Sequence, residues 1–384
     1  MNELNHLFDN RLFSVLPIII IIASMIFGKI LWIFLDVLNR RAQMKHYMIV
    51  FGTRLELIKM YPVIKECQNH AKKIKLTIVN TGQQKEMVDM LLSEWGIKPH
   101  YDLNVMKQKQ SLTELNINLM SGLEPIMKIE NPDLVVVHGD TTTAFIASLV
   151  AFYQQKKIAH VEAGLRTNDK HAPYTADVNR QMIDRVADYY FVPTQKNKEN
   201  LEKEGIYSKI EITGNTGIDT LNFHDLNQTI TNDQRQIMVT TYQREWNDEK
   251  SKRICAVLVK IAKENPEVVI KYPEPLNPKG RKMVERLLSD QENIFLTKPL
   301  NHLEFQKEMM NSFLVITDSS GVQEEVSDYK VPVLVVRDGT GEETLYKNIV
   351  SLLEDQAQYE TMGVTDAGAG KAAKRIVDHL LQEV

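Results

Sequence analysis

The chain has 384 residues, a length that predicts two domains, because a domain typically holds about 150 residues. Its 50 acidic and 46 basic residues give a net charge of −4, which argues against a nucleic-acid partner. With 43% apolar and 25% charged residues, the composition excludes a disordered or collagen-like chain and predicts ordinary globular cores.

The two cysteines of the chain, Cys67 and Cys255, lie far apart in the sequence. Neither has a neighbour at the spacing of metal ligands, so the sequence predicts no disulfide framework and no metal site. We expect both to be small buried apolar residues.

A long apolar segment occupies residues 12–35. Residues 12–28 carry no charge and include five consecutive isoleucines, and Lys29 is followed by apolar residues 30–35. About 20 helical residues cross a hydrocarbon core of about 30 Å, and a lysine near one end can reach the headgroups. The sequence therefore predicts one transmembrane helix over residues 12–35.

A cleaved secretory signal peptide is the alternative interpretation of this segment. It fits less well, because no small-residue cleavage site follows and residues 36–41 remain compatible with a helix. Arg40, Arg41 and Lys45 follow the segment, whereas Arg11 is the one lysine or arginine before it. By the positive-inside rule, we expect a single-pass protein of the cell membrane whose folded domains are cytoplasmic.

Short apolar runs alternate with amphipathic stretches over the rest of the chain. The runs lie at residues 46–51, 76–79, 134–137, 158–161, 190–192, 237–240, 268–270, 313–316 and 331–335. Such runs between helices are typical of parallel strands covered on both faces. The predicted fold class is therefore α/β, with Rossmann-like domains at residues 45–212 and 213–384. In such folds ligands bind at the carboxyl ends of the strands, here in the cleft between two domains.

Two cations follow the first predicted strand. The chain passes through Gly52 into a predicted helix whose first turns carry Arg54 and Lys59. Positive charge and free amide groups at a helix N-terminus suit a phosphate. The alternative is an ordinary turn with two solvated cations.

Two carboxylates, Asp140 and Glu162, lie at the ends of the predicted strands at 134–137 and 158–161. Each could be structural, since aspartate is a good helix N-cap. If they face one cavity, however, the nearby like charges would raise the pKa of one of them, which gives the unequal pair that proton transfer requires.

Residues 315–325 are predicted to form a strand, a turn of small residues and a helix. Backbone amide groups in this turn would hold a diphosphate, and Glu325 could accept hydrogen bonds from ribose hydroxyls. An ordinary capped turn is the alternative. Read as a binding turn, the segment suits a nucleoside diphosphate.

Eight motifs, including FGTRLELIK at 51–59 and HVEAGLRT at 160–167, occur in order from about residue 45 to the C-terminus. The others lie at residues 81–87, 101–106, 132–143, 179–181, 213–219 and 317–325. This ordered set resembles the non-hydrolysing UDP-N-acetylglucosamine 2-epimerase family. The resemblance implies two Rossmann-like domains in a GT-B-type arrangement, a UDP-sugar substrate in the interdomain cleft and no cofactor. It also makes a homodimer the default expectation.

The resemblance implies roles for individual residues. The acid/base carboxylates of the family match Asp140 and Glu162, and its basic residues match Arg54, Lys59 and Arg180. The residues of its diphosphate turn and its ribose contact match Ser319, Ser320, Gly321 and Glu325.

The reaction implied is an isomerisation between UDP-GlcNAc and UDP-ManNAc. No neighbouring carbonyl group acidifies the C2 proton of the sugar, so the family expels UDP across C1 and C2 and leaves a 2-acetamidoglucal. UDP is then added back after reprotonation on the opposite face. This route needs a base and an acid near C2, groups that hold the leaving diphosphate, and a closed cleft.

The sequence departs from the family pattern at several motifs. Tyr242 stands where the family has a substrate-binding histidine, and a tyrosine cannot carry the positive charge of an imidazolium. Ala176 stands where the family has a catalytic glutamate, and Asp177 beside it is the candidate substitute. Pro275 replaces a further histidine, and Ser320 replaces a glycine of the diphosphate turn.

Three functions remain open at this point. The first is a membrane-tethered epimerase that serves the synthesis of a cell-surface polysaccharide. The second is a catalytically impaired relative that binds a sugar nucleotide or a partner and regulates or scaffolds polysaccharide assembly. The third is a glycosyltransferase that acts on a lipid-linked acceptor.

Overall fold

The computed structural model describes most of the chain from Met44 onward, together with Lys29. The described residues are 29, 44–107, 110–167, 169–171, 174–223, 235–241, 248–275, 278–319, 322–323, 326, 331–336, 341–354 and 370–384. Apart from Lys29, the predicted transmembrane helix at residues 12–35 lies outside them. No helix within these ranges is both long enough and apolar enough to span a bilayer.

The strands of the described residues form two parallel sheets. The first sheet contains β1 (Lys45–Phe51), β2 (Ile74–Asn80), β3 (Tyr101–Asp102), β4 (Leu134–His138), β5 (Lys157–Val161), β6 (Tyr189–Val192) and β7 (Ile210–Ile212). The second contains β8 (Gln236–Thr240), β9 (Val269–Pro273), β10 (Ile294–Thr297), β11 (Leu314–Thr317) and β12 (Val333–Val335).

Helices connect these strands. They are α1 (Arg54–Asn69), α2 (Lys85–Glu94), α3 (Leu112–Glu130), α4 (Thr142–Tyr153), α5 (Ala176–Val186), α6 (Gln195–Lys203), α7 (Thr216–Phe223), α8 (Asp248–Glu264), α9 (Pro278–Leu288), α10 (His302–Met310), α11 (Glu342–Glu354) and α12 (Ala372–Glu383). The alternation of parallel strands and helices confirms the predicted α/β class.

Each predicted apolar run overlaps a strand, but three short strands were missed. β3 and β7 have two and three residues and lie at the two edges of the first sheet, and β10 lies at an edge of the second. β3 and β7 are too short to produce an apolar run, whereas β10 was missed although its residues 294–296 are all apolar.

The order of the strands reverses at one point in each sheet. The orders are β3-β2-β1-β4-β5-β6-β7 and β10-β9-β8-β11-β12. Strands are therefore added first on one side and then on the other, and the order reverses between β1 and β4 and between β8 and β11. At such a point the helices leave on opposite faces of the sheet and a crevice opens at the carboxyl ends of the strands. Glu162 and Asp140 follow strands on one side of the first crevice.

The first sheet is buried on both faces. Alternate residues of β1 enter different cores, with Tyr47, Ile49 and Phe51 in one and Met48 and Val50 in the other. This burial explains why the strand reads as a continuous apolar run rather than an alternating one.

The two cysteines lie in separate cores. Cys67 packs in a core of the first sheet, Cys255 packs in a core of the second, and both are buried and free. The prediction that they are small buried apolar residues is confirmed.

Two late helices pack against the first half of the chain. Ala373, Ile376 and Leu380 of α12 belong to the core of the first sheet. In α7, the Thr220 hydroxyl donates a hydrogen bond of 2.7 Å to the Ile58 carbonyl of α1. The predicted domain boundary between residues 212 and 213 stays a prediction.

Candidate active site

The turns that follow β1, β2 and β4 meet at the crevice of the first sheet. A Cβ atom added to Gly52 would lie 2.0 Å from Thr81 Oγ1 and 2.6 Å from Thr143 Oγ1, so no larger residue fits there. The two threonine hydroxyls are themselves hydrogen-bonded at 2.8 Å. Gln83 Oε1 accepts a further hydrogen bond of 2.8 Å from Thr143 Oγ1. The three turns therefore form one packed unit.

Arg54 begins α1 beside this unit. Its amide group donates a hydrogen bond of 3.0 Å to Gln84 Oε1, and its side chain is partly exposed. Arg54 thus lies at the helix N-terminus, where the sequence predicts it.

A buried charged cluster lies at the ends of β4 and β5. Lys59 Nζ donates to Glu162 Oε2 at 2.6 Å, and His138 Nε2 lies 3.4 Å from the same oxygen. Burial acts to raise the pKa of Glu162, but the charges and hydrogen bonds of Lys59 and His138 outweigh it and hold the pKa well below its usual value. Burial also lowers the pKa of His138, although Glu162 opposes this shift. Glu162 is therefore a carboxylate, paired mainly with Lys59.

The predicted electrostatics of the two carboxylates are wrong for Glu162. The prediction was that, if Asp140 and Glu162 face one cavity, their like charges raise the pKa of one of the two, but the pKa of Glu162 is lowered. Instead each carboxylate has a cation of its own, because Arg180 Nη2 donates to Asp140 Oδ2 while Lys59 pairs with Glu162. The structure therefore brings four predicted site residues together as two ion pairs.

Asp140 is the more accessible of the two carboxylates. Its side chain is 28% exposed, compared with 12% for that of Glu162. Asn179 fixes the backbone there, since its Nδ2 donates to the Asp140 carbonyl at 2.9 Å. A ligand in the crevice can thus reach the Asp140 carboxylate.

Glu162 has an uncommon backbone conformation. Its φ is 65°, in the left-handed region, and its amide group donates to the Phe191 carbonyl at 2.9 Å. Non-glycine residues in this region are few and often occur at functional sites. Gly164 follows with φ 77°, and a Cβ atom there would lie 2.3 Å from the Asn197 carbonyl oxygen. The turn after β5 therefore depends on glycine at this position.

Asp177 is placed differently from the other predicted carboxylates. It is fully buried, and its oxygens accept hydrogen bonds of 2.8 Å from the Thr167 amide and from Gln181 Nε2. These two partners lie in its own helix and in the loop that follows Glu162. Its role as a substitute for the glutamate missing at Ala176 stays a prediction.

A second charged network lies beneath the turns. His160 Nδ1 is 2.6 Å from Asp184 Oδ1, and its Nε2 is 2.8 Å from the Gly139 carbonyl oxygen. Both ring nitrogens thus lie within hydrogen-bonding distance of an oxygen atom. Arg166 bonds Asp184 at 2.7 Å and Glu204 at 2.6 Å. Burial acts to raise the pKa of Asp184, but the charges of His160 and Arg166 outweigh it and lower the pKa.

Sequence reasoning missed several of these residues. His138 was visible as the polar end of an otherwise apolar strand, and Glu56 as the fourth residue of a Thr-x-x-Glu capping box that starts at Thr53. His160 was visible in the same way, as a polar residue within the apolar run at 158–161, whereas Asp184 gave no local signal, because its partners lie on other elements.

Ser319 is the described residue of the predicted diphosphate turn. Its amide group donates to Thr317 Oγ1 at 3.1 Å, and its hydroxyl accepts from the Val322 amide at 3.4 Å. The other candidates of the second half, Tyr242, Ser320, Gly321 and Glu325, lie outside the described residues.

Comparisons with known proteins agree with this geometry. The family model described as UDP-N-acetylglucosamine 2-epimerase matches residues 65–381. The UDP-N-acetylglucosamine 2-epimerase of Bacillus subtilis strain 168 is 38% identical over 360 residues, which cover 87% of this chain and 94% of the relative.

Two solved structures are similar in fold. The epimerase of Neisseria meningitidis bound to UDP-GlcNAc is 37% identical, with a TM-score of 0.76 over 88% of this chain and 100% of that one. The S. aureus MnaA-UDP co-structure is 35% identical, with a TM-score of 0.78 over 88% of this chain and 97% of that one.

Proposed function

Because this chain belongs to the UDP-N-acetylglucosamine 2-epimerase family, which is a family of isomerases, we propose that it interconverts UDP-GlcNAc and UDP-ManNAc. The reaction proceeds by elimination of UDP, reprotonation at C2 and re-addition of UDP. The observation that carries the proposal is the pair of neighbouring ion pairs, Lys59 with Glu162 and Arg180 with Asp140, at one crevice of the first sheet.

The charges of these pairs suit the elimination step. Glu162 is held as a carboxylate and is able to accept a proton from C2. Once it is protonated, the positive charge of Lys59 can stabilise the negative charge of the departing diphosphate. Asp140, on the next strand, is the candidate for proton exchange on the other face of the ring.

The proposal is tested by incubating the purified full-length chain with UDP-GlcNAc in heavy water. We expect UDP-ManNAc to form and deuterium to appear at C2 in both sugars. The Glu162→Gln variant should show neither, while still binding UDP. Formation of UDP-ManNAc without deuterium at C2 would contradict the mechanism, and absence of both from the wild-type protein would contradict the function.

A catalytically impaired relative that binds a UDP-sugar or a partner is the second candidate function. It is favoured by Ala176 and Tyr242, since neither side chain can supply the charge that the family has at these positions. The double variant Ala176→Glu, Tyr242→His separates the candidates. Activity that appears only in this variant supports an impaired site, whereas turnover by the wild-type chain excludes it.

We further propose that residues 12–35 tether the protein to the cell membrane, with the folded domains in the cytoplasm, and that the product serves a cell-surface polysaccharide. The apolar run and the basic residues that follow it support the tether. The full-length protein should stay in the membrane fraction after an alkaline carbonate wash, and a chain that lacks residues 1–43 should not. Release of the full-length protein by the wash would contradict the tether. A homodimer is expected, and the mass of the detergent-solubilised particle would test it.

A further inference from the structure

Glu56 joins two turns at the carboxyl ends of the central strands of the first sheet. Its Oε2 accepts hydrogen bonds from the Gly52 amide at 2.9 Å, the Thr53 amide at 2.8 Å and Thr53 Oγ1 at 2.9 Å. Its Oε1 accepts from Thr141 Oγ1 at 2.6 Å. One carboxylate oxygen therefore binds the turn after β1, and the other binds the turn after β4.

Helix capping explains only half of this arrangement. A capping box needs just the bonds between a glutamate and its own N-cap residue. The capping-box glutamates of α3 and α10, Glu114 and Glu304, make such bonds from exposed positions. Glu56 is only 1% exposed, and its bond to Thr141 joins residues that are 85 positions apart. Burial raises its pKa to about 7, so the buried position has a cost that a simple cap avoids.

The two turns carry different ion pairs of the proposed active site. Thr53 caps α1, which bears Lys59 and thus the contact to Glu162. Thr141 caps α4 and directly follows Asp140, the partner of Arg180. The Glu56 carboxylate therefore links the helix that carries Lys59 to the turn that carries Asp140.

We propose that Glu56 is a positioning residue for the epimerase reaction, which holds the turn that carries Asp140 in register with the helix that carries Lys59. This inference rests on the proposed function. Proton transfer on opposite faces of one sugar ring requires both carboxylates at set positions, and a displacement of about 1 Å can cost about 100-fold in rate. The link acts on kcat, because it sets the geometry of the reacting groups and does not contact the nucleotide.

The test uses variants of Thr141 in the full-length protein. Thr141→Val removes both the bond to Glu56 and the side-chain cap of α4, and it leaves the capping box of α1 intact, whereas Thr141→Ser keeps the hydroxyl group that makes both bonds. We expect kcat to fall about 10- to 100-fold in Thr141→Val, with KM nearly unchanged, and to stay near wild type in Thr141→Ser. Glu56→Gln should recover most of the activity lost in Glu56→Ala, because its amide can accept from the turn after β1 and donate to Thr141.

Glu114→Ala is the matched control, since it removes a capping-box glutamate from α3 without touching either turn. It should lower stability and leave kcat unchanged. A fall in kcat equal to that of Thr141→Val would show a general effect of helix capping and would overturn the proposal, as would wild-type kcat in Thr141→Val.

Amide hydrogen exchange provides a readout that needs no activity. Thr141→Val should raise exchange in a peptide of residues 51–57 as well as in one of residues 139–145. Faster exchange confined to residues 139–145 would overturn the inference. If the wild-type chain has no turnover, the proposed function fails, while the exchange experiment still decides whether Glu56 couples the two turns.

Discussion

The two sheets end in different kinds of turn. At the crevice of the first sheet, buried charges are paired with one another, as in Lys59 with Glu162. At the crevice of the second, the described turns after β8 and β11 carry hydroxyl groups, on Thr241, which is hydrogen-bonded to the Tyr272 hydroxyl at 2.8 Å, and on Ser319, which lies beside Asp318. The paired buried charges of the first crevice are thus separated from the hydroxyl groups of the second, which can hold the oxygen atoms of a ligand.

This difference predicts that the chemical step depends on the crevice of the first sheet, and that affinity for the ligand depends on the crevice of the second. Substitutions among the paired charges at the crevice of the first sheet should change kcat, or the stability of the turns that hold these charges. Substitutions of the hydroxyl residues at the crevice of the second sheet should change the affinity for the ligand. The experiments that follow would break or sharpen this division.

The largest effect is expected for Glu162→Gln. Loss of an acid/base group typically lowers a rate about 10²- to 10⁴-fold, so kcat should fall by this factor with little change in the Kd for UDP. Steady-state assay of epimerisation and calorimetry with UDP measure the two quantities. Glu124→Gln, which breaks the exposed pair with Lys128, is the control and should be neutral. Loss of UDP affinity with unchanged kcat would contradict the division.

A large loss of stability is expected for Asp184→Asn. Removal of one partner from a buried ion pair typically costs about 3–5 kcal/mol, and here His160 and Arg166 lose the buried carboxylate between them, although Arg166 keeps its pair with Glu204. Glu308→Gln, beside the second sheet, breaks a partly exposed pair with Lys271 and should cost about 1 kcal/mol or less. Urea unfolding of both variants at neutral pH measures the contrast, and equal losses would contradict it.

The loss in Asp184→Asn should depend on pH. The pKa of Asp184 is lowered in the folded state, so its contribution is present above its unfolded value of about 3.9 and is lost as the pH falls through the folded pKa. The difference in free energy of unfolding between wild type and variant should therefore shrink below about pH 4. A difference that stays constant down to pH 3 would show that packing, not charge, is responsible.

A smaller effect is expected for Gly164→Ala, with Gly96→Ala as its matched control. Both glycines have positive φ, but a Cβ atom at Gly96 meets no atom within 4 Å, whereas at Gly164 it would clash with Asn197. The control should lose about 1–2 kcal/mol, the cost of a left-handed non-glycine residue, and Gly164→Ala should lose more. Chemical denaturation measures both. Equal losses would mean that the turn after β5 adapts to a side chain.

The smallest effect is expected for Ser319→Ala. One neutral hydrogen bond contributes about 0.5–1.5 kcal/mol, which corresponds to a rise of about 2- to 13-fold in the Kd for UDP. The value of kcat should not change. A fall in kcat comparable to that of Glu162→Gln would show that the crevice of the second sheet takes part in the chemical step, and would contradict the division between the two crevices.

The sequence predicted the parts of this structure that depend on local pattern. The apolar runs located the longer strands, and Asp140 and Glu162 were placed at strand ends because a polar residue after such a run must leave the sheet. β3 and β7 were missed because two or three residues carry no usable pattern.

The pairing of charges could not be predicted from spacing. Glu162 lies 103 positions from Lys59, and Arg180 lies 40 positions from Asp140, so both pairs arise only when the strands and helices are assembled. The spacing of Thr53 and Glu56 indicates a helix cap, but nothing local indicates that the same carboxylate also binds Thr141.

The position of α12 bears on how the protein is made. Its residues Ala373, Ile376, Val377 and Leu380 complete the core beneath the first sheet, although they are translated more than 300 residues after β1 begins at Lys45. Domains generally fold as units while the ribosome is still extending the chain. Here the half that is synthesised first must wait for residues 372–383 before its core is closed. A premature stop codon ahead of α12 would therefore expose apolar surface in the half that bears Asp140 and Glu162.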